Sequence, residues 1–112
     1  RACLVVNGGG QRVAYERSKI LGGIARACEK RAVTLERMEA IADVVERELS
    51  RDTTREVSTR EVGELVMSAL RNEDEVAYVR FASVYRSFKD VDEFMSELRH
   101  LLDGKEDIDV GS

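Results

Sequence analysis

The stretch Asp74–Phe94, DEVAYVRFASVYRSFKDVDEF, decides how this chain is read. Ala77, Phe81, Val84 and Phe88 recur at helical spacing and are expected to face a core. Tyr78, Ala82 and Tyr85 form a second stripe, with Arg80 and Arg86 beside it. A wholly buried helix rarely keeps two tyrosines and two arginines so near its core face. A helix that flanks a ligand can use all four, because tyrosine offers a stacking face and a hydroxyl, and arginine grips phosphate with a planar fork. A helix–helix or subunit interface is the competing reading, since Tyr and Arg are enriched there too.

Upstream, Ser58 and Glu61 make a capping box, S-x-x-E, that opens a helix reaching about Leu70. Its expected core face is Val62, Leu65, Val66 and Ala69, and Asn72–Asp74 is expected to be a turn. Thr34 is the expected N-cap of a helix over Leu35–Leu49, with Leu35, Met38, Ile41, Ala42, Val45 and Leu49 as its apolar stripe. Arg17–Lys30 is a further helix, with Ile20, Ile24, Ala27 and Cys28 on one face. Gly22 and Gly23 inside it each disfavour helix by ~1 kcal/mol relative to Ala, or else permit close packing. Downstream, Asp90 is expected to cap a last helix whose stripe is Val91, Phe94, Met95, Leu98 and Leu101. Near the N-terminus, Cys3–Val6 and Gln11–Tyr15 read as strands joined through Asn7-Gly8-Gly9-Gly10, where consecutive glycines allow positive φ. Glu56 and Val57 are expected to add a short strand after a polar loop over Ser50–Arg55. The fold class is therefore α+β, mostly α, with one small β element and four or five helices.

Composition narrows the function. A chain of 112 residues suits one modest core. The absence of proline suits long helices. A net charge of −4 argues against a broad basic surface for nucleic acid, while leaving room for a local phosphate pocket. No apolar run approaches the roughly 18 residues of a membrane helix, and RACLVVNGGG lacks a signal-peptide pattern, so a cytoplasmic location without membrane contact is expected. Cys3 and Cys28 stand at unrelated spacing and His100 is the single histidine. The usual zinc pattern of about four ligands is therefore missing, and two buried thiols are expected rather than a disulfide. No thiol–His pair or Ser-His-Asp order supports catalysis, so no enzyme activity is expected. The carboxylates, Glu46 among them, read as ordinary surface charge on solvated helix faces.

The string from Val76 to Asp90 closely resembles the corresponding helix of the NrdR family, bacterial regulators of ribonucleotide reductase transcription, whose pattern is V/I-A-Y-V/I-R-F-A-S/C-V-Y-R-x-F-x-D. EVSTREVGELVM (Glu56–Met67) and IARACEKRAV (Ile24–Val33) are similar to the same family, so the likeness runs from about Leu4 to about Leu102. The resemblance implies an ATP-cone, a short β-sheet lid over a helical bundle, occupying residues 1–103; the acidic composition of 104–112 and its place at the end of the chain read as a mobile tail. It implies ATP or dATP as ligand, with or without Mg²⁺, and a homo-oligomer. It implies DNA binding only through the full-length protein, by a four-cysteine zinc ribbon not contained in this chain, which is then expected to be an excised regulatory domain. Zn²⁺ belongs to that ribbon.

The family's nucleotide residues carry over one by one. Its hairpin reads V-x-K-R-D/N-G; Val5 matches the valine and Gly10 the final glycine, while Asn7 and Gly8 stand where the family has its basic pair. Arg12, on the returning strand, could compensate. Glu16-Arg17-Ser18-Lys19-Ile20 resembles D-R-E-K-L/I, in which the lysine meets phosphates and the position of Glu16 faces base or ribose. Lysine in the first turn of a helix opposes the helix dipole, a cost that a bound anion offsets. Thr59 matches a threonine near the adenine. Tyr78, Arg80, Tyr85 and Arg86 are candidates for a second nucleotide, for its phosphates or for a neighbouring subunit. Two rival readings remain: the ATP-cone of a ribonucleotide reductase, and a degenerate cone that serves only oligomerisation.

Overall fold

Capping side chains lay out the helices of this chain in the computed structural model, which describes residues 4–6, 9–51, 56–86 and 90–100. The elements run β1 (Leu4–Val6), β2 (Arg12–Ala14), α1 (Arg17–Ala27), α2 (Leu35–Leu49), β3 (Val57–Ser58), α3 (Thr59–Glu73) and α4 (Glu75–Tyr85), followed by a helical run, α5, over 91–100. Thr34 is extended, and its hydroxyl accepts the Arg37 N–H at 3.1 Å, which starts α2. Ser58 Oγ accepts the Glu61 N–H at 3.1 Å and Glu61 Oε1 accepts the Ser58 N–H at 3.5 Å, the reciprocal box that starts α3. Such a cap contributes ~1 kcal/mol.

Asp74 performs two tasks. Its N–H bonds Leu70 O at 2.9 Å and closes α3, while its Oδ1 accepts the Ala77 N–H at 2.9 Å and opens α4. The turn expected over Asn72–Asp74 thus contracts to one residue, because a single aspartate satisfies both helix ends and Asn72 and Glu73 stay helical.

The sheet has the order β2-β1-β3. β1 and β2 are antiparallel, with Val5 opposite Val13 and Val6 opposite Arg12; β1 and β3 are parallel, with Val5 opposite Val57 and Val6 opposite Ser58. Gly10 sits at φ +82°, the left-handed conformation that the hairpin needs and that glycine adopts without penalty. The α+β, mostly α architecture read from the sequence is the one observed.

Helix α2 packs against both α1 and α3. Ile24, Val45, Val66 and Leu70 are fully buried, and Val5 and Val57 bring the inner face of the sheet into the same apolar set. Each such side chain stabilises by about 1.5–3 kcal/mol. The buried stripe of α3 is Val62, Gly63, Val66, Met67 and Leu70, whereas Leu65 and Ala69 are only half-buried. The expected face is thus rotated, because Gly63 carries no hydropathy signal yet belongs to the seam. Leu35 is 66% exposed, since as the first residue of α2 it projects past the packed turns. The expected α1 stops at Ala27 rather than Lys30, and Lys30 takes φ 60° in the turn that follows. Cys28 is a buried free thiol.

The chain divides into two units, Arg1–Phe81 and Ala82–Ser112, with the boundary inside α4. In the second unit, Asp90 Oδ1 accepts the Glu93 N–H at 2.8 Å and so caps α5 as expected. Val91 and Met95, expected in its apolar stripe, are exposed, and Phe94 and Leu98 are half-buried. Cys3, Phe88, Leu101, most of the Ser50–Arg55 loop and the 104–112 tail, for which expectations were stated above, lie outside the described residues. Among the described residues no helix is long and apolar enough to cross a membrane.

Candidate nucleotide site

Strand periodicity assigns the hairpin's faces. Side chains alternate along a strand, so Val5, Val13 and Val57 share one face and Val6, Arg12 and Ser58 the other. Val5 is buried with Val57. Arg12 is exposed on the opposite face, where its guanidinium pairs with the Glu56 carboxylate across β1. Gly10 is exposed at the turn. Asn7 and Gly8, in the place of the family's basic pair, lie outside the described residues.

The chain passes from β2 through Tyr15 and Glu16 into α1. Glu16 is the N-cap residue, yet no side chain caps this helix and its first turn contains no acidic residue. Helices α2 and α3 differ on both counts, with Thr34 and Glu36 in one and Ser58 and Glu61 in the other. The partial positive charge of the α1 N-terminus is therefore met by no side-chain acceptor of its own first turn. Lys19 is 77% exposed and places its Nζ 3.0 Å from Glu16 Oε1. Its amide donates to Glu16 O at 3.1 Å. Ile20 is half-buried on the next residue.

Flanking residues tie this turn to α2. The Tyr15 hydroxyl donates to Glu46 Oε2 at 2.9 Å, and Arg17 Nη1 donates to Glu46 Oε1 at 2.8 Å. Arg17 Nη1 also lies 3.0 Å from Asp43 Oδ1, and Nη2 reaches Glu39 O at 3.4 Å. Burial, followed by the bond to the Glu46 carboxylate, pushes the Tyr15 phenol well above its ordinary range, so it remains a proton donor. The same carboxylate raises the Arg17 guanidinium further. Glu46 is thus not the ordinary surface charge expected from the sequence; its partners come from 29 and 31 residues away, beyond the reach of helical pattern.

Thr59 is the first residue of α3 and is exposed beside the β3 edge of the sheet. Tyr78 is only 6% exposed and belongs to the buried set with Ala77 and Ala82. Val84, expected to face the core, is instead 81% exposed. Helix α4 is apolar on nearly every side, so periodicity selects no unique face, and the buried side centres on Ala77, Tyr78 and Ala82. Phe81 lies against α1, where a Cβ built on Gly23 would meet Phe81 Cε1 at 3.4 Å. Gly23 is thus the small residue that admits its neighbour. Arg80 Nη1 donates to Ala27 O at 3.1 Å and to Glu29 O at 2.7 Å, and so satisfies carbonyls at the end of α1. Tyr85 is half-buried, and Arg86 pairs with Glu97 in the second unit.

One feature escaped sequence reasoning. A cleft of about 360 Å³ is lined by Glu48 and Leu49 at the end of α2 and by Arg60, Glu61, Glu64 and Leu65 at the start of α3. Only the meeting of two helix ends creates it, so no local motif marks it. Among the described residues no group of three His, Cys, Asp or Glu side chains is placed to hold a metal ion.

Comparison with known proteins adds to this geometry. The family model of the ATP cone domain matches residues 4–91. The transcriptional repressor NrdR of Acetivibrio thermocellus is 51% identical over 102 residues, covering 91% of this chain and 68% of that protein. The NrdR repressors of Pelotomaculum thermopropionicum and Heliobacterium modesticaldum are 52% and 54% identical over 89% and 87% of this chain, covering 60% and 64% of their own lengths. The chain therefore spans about two thirds of the length of the curated relatives it matches.

Proposed function

The chain belongs to the ATP-cone family and, by its relatives, to the NrdR family of transcriptional repressors, and from that premise we propose that it is the nucleotide-sensing and oligomerising part of a cytoplasmic repressor of ribonucleotide reductase genes. Its role is regulatory rather than catalytic. The observation that carries this reading is the start of α1, where an exposed Lys19 stands on a helix N-terminus that no side chain caps. Backbone N–H groups at such an end, together with an ammonium, suit a polyphosphate. Lys19 holds phosphate, with Mg²⁺ sharing the charge. Ile20 offers apolar contact from α1, while Val5 supports the hairpin from the core side. Glu16 and Thr59 offer polar contact to base and ribose.

ATP and dATP differ only at the ribose 2′-hydroxyl, so a site that senses that group shifts the assembly by its differential affinity for two arrangements. In the intact repressor, one arrangement aligns zinc ribbons on DNA and the other does not. A second reading has an observation in its favour: Asn7 and Gly8 replace a basic pair, and Arg12 already pairs with Glu56. Under that reading the cone assembles without nucleotide.

Calorimetric titration of the chain and of Lys19→Ala with ATP and with dATP in Mg²⁺ separates the two. A sensing cone binds, and Lys19→Ala loses about ten- to a hundredfold in affinity, the worth of one charge-assisted contact. Heat-silent titrations of the unaltered chain select the assembly-only reading.

A further inference from the structure

We propose that Glu46 is a positioning residue for the nucleotide: through Tyr15 and Arg17 it fixes the backbone at Glu16 and the first turn of α1, and so sets where Lys19 stands. The inference rests on the reading of the α1 start as a nucleotide site and adds to it a side chain from another helix, remote in sequence, that touches no ligand.

Both carboxylate oxygens of Glu46 are engaged, Oε2 by the Tyr15 hydroxyl at 2.9 Å and Oε1 by Arg17 Nη1 at 2.8 Å. The two donors flank Glu16 in the chain, so one carboxylate on α2 clamps the residue between them from both sides. Asp43, three residues earlier on α2, takes a share of Arg17 at 3.0 Å, and the Glu39 carbonyl accepts from Nη2 at 3.4 Å. Arg17 is therefore committed to α2 and is not the cation that meets a ligand. Among the described residues, Lys19 is held by Glu16 across an exposed i,i+3 pair. Contacts of that kind are weak and screened by solvent, so an incoming anion displaces Glu16 from Lys19 at little cost.

The arrangement divides labour between two cations spaced two residues apart. The half-exposed Arg17 anchors, and the exposed Lys19 binds. It also accounts for the start of α1 holding its position without a side-chain cap: the anchoring that Thr34 and Ser58 give to α2 and α3 comes here from a neighbouring helix. A ligand-binding turn held in place in this way loses less conformational freedom on binding.

The test compares ATP binding in Mg²⁺ for the unaltered chain, Glu46→Ala, Glu46→Gln, Lys19→Ala and the Glu46→Ala/Lys19→Ala pair, with amide exchange over residues 16–20 read on the same samples. Glu46→Ala is expected to weaken ATP about five- to tenfold and to speed exchange in the first turn of α1. Glu46→Gln, which keeps an acceptor for Tyr15, recovers part of the loss. In the Lys19→Ala background, Glu46→Ala costs little more, because both changes act on one contact. Unchanged affinity in Glu46→Ala overturns the proposal, as does an equal loss in both backgrounds, which marks a merely structural residue. Should Glu46→Ala not fold, Tyr15→Phe removes a single hydroxyl; a loss of about two- to threefold is expected and none overturns the proposal. Absence of ATP binding by the unaltered chain defeats the nucleotide reading itself. Binding that depends on Lys19 but not on Glu46 defeats this inference alone.

Discussion

Replacing Asp74 by alanine tests the reading of this residue as the joint between α3 and α4. Its Oδ1 accepts the Ala77 N–H at 2.9 Å, and both carboxylate oxygens lie 3.1 Å from Arg31 Nε. Loss of the cap costs ~1 kcal/mol. Loss of the ion pair adds about 0.5 kcal/mol, since Arg31 is partly exposed although the Asp74 side chain is only 12% so. The sum, about 1.5 kcal/mol, lowers Tm by ~6 °C for a domain of this size. Asp74→Asn keeps an acceptor for Ala77 and loses only the charge, so about 0.5 kcal/mol is expected.

The pH dependence follows from the same contacts. The Ala77 N–H, then Arg31, hold the Asp74 carboxyl below the usual carboxylate range. A folded-state value depressed below the unfolded one, ~3.9, gives stability that is fully present above about pH 5. It is lost as pH falls through the lower folded value. Urea unfolding followed by far-UV circular dichroism at pH 7 and near pH 3 reads both effects. The gap between the unaltered chain and Asp74→Ala should narrow at the lower pH. A gap below ~0.3 kcal/mol at pH 7, or one that stays constant down to pH 3, would refute the account of this joint.

Three further outcomes are expected. Lys30→Gly relieves a side chain held at φ 60° and should raise stability by ~1 kcal/mol in urea unfolding, whereas no gain would remove strain from the account. Arg80→Ala strips the carbonyls of Ala27 and Glu29 of their donor and should cost ~1–2 kcal/mol, with faster amide exchange in the last turn of α1 as the diagnostic. In a Cys3→Ser background, Cys28 should resist a thiol reagent at pH 8 until the chain unfolds, because burial pushes its thiol up and hides it; rapid native labelling would contradict that.

Local chemistry was legible in the sequence. Thr34, Ser58 with Glu61, and Asp90 each cap within three residues of their own position, and the glycines of the hairpin announce a turn in the same short range. Faces were less legible. Helix α4 offers Val76, Ala77, Tyr78, Val79, Phe81, Ala82, Val84 and Tyr85, so apolar spacing alone could not choose Tyr78 over Val84 for the interior. Long-range polar contacts were not legible at all. Glu46 looked like surface charge on α2 because nothing near it in sequence names Tyr15 or Arg17. Arg80 stood beside a tyrosine stripe and read as a residue for a ligand's phosphates or for a subunit interface, while its guanidinium reaches the end of α1. The cleft between the end of α2 and the start of α3 exists only once those helices meet. For the proposed nucleotide site, the lysine, the hairpin and the helix start were recognisable by resemblance, and Glu46, which holds Tyr15 and Arg17 on either side of Glu16, was not.

The most direct test of nucleotide sensing is the molar mass of this chain by light scattering after size-exclusion chromatography, run without ligand, with ATP and with dATP in Mg²⁺. A nucleotide-sensing cone gives a mass that changes with nucleotide and differs between ATP and dATP. A single mass under all three conditions would contradict that reading and leave a domain that assembles without sensing.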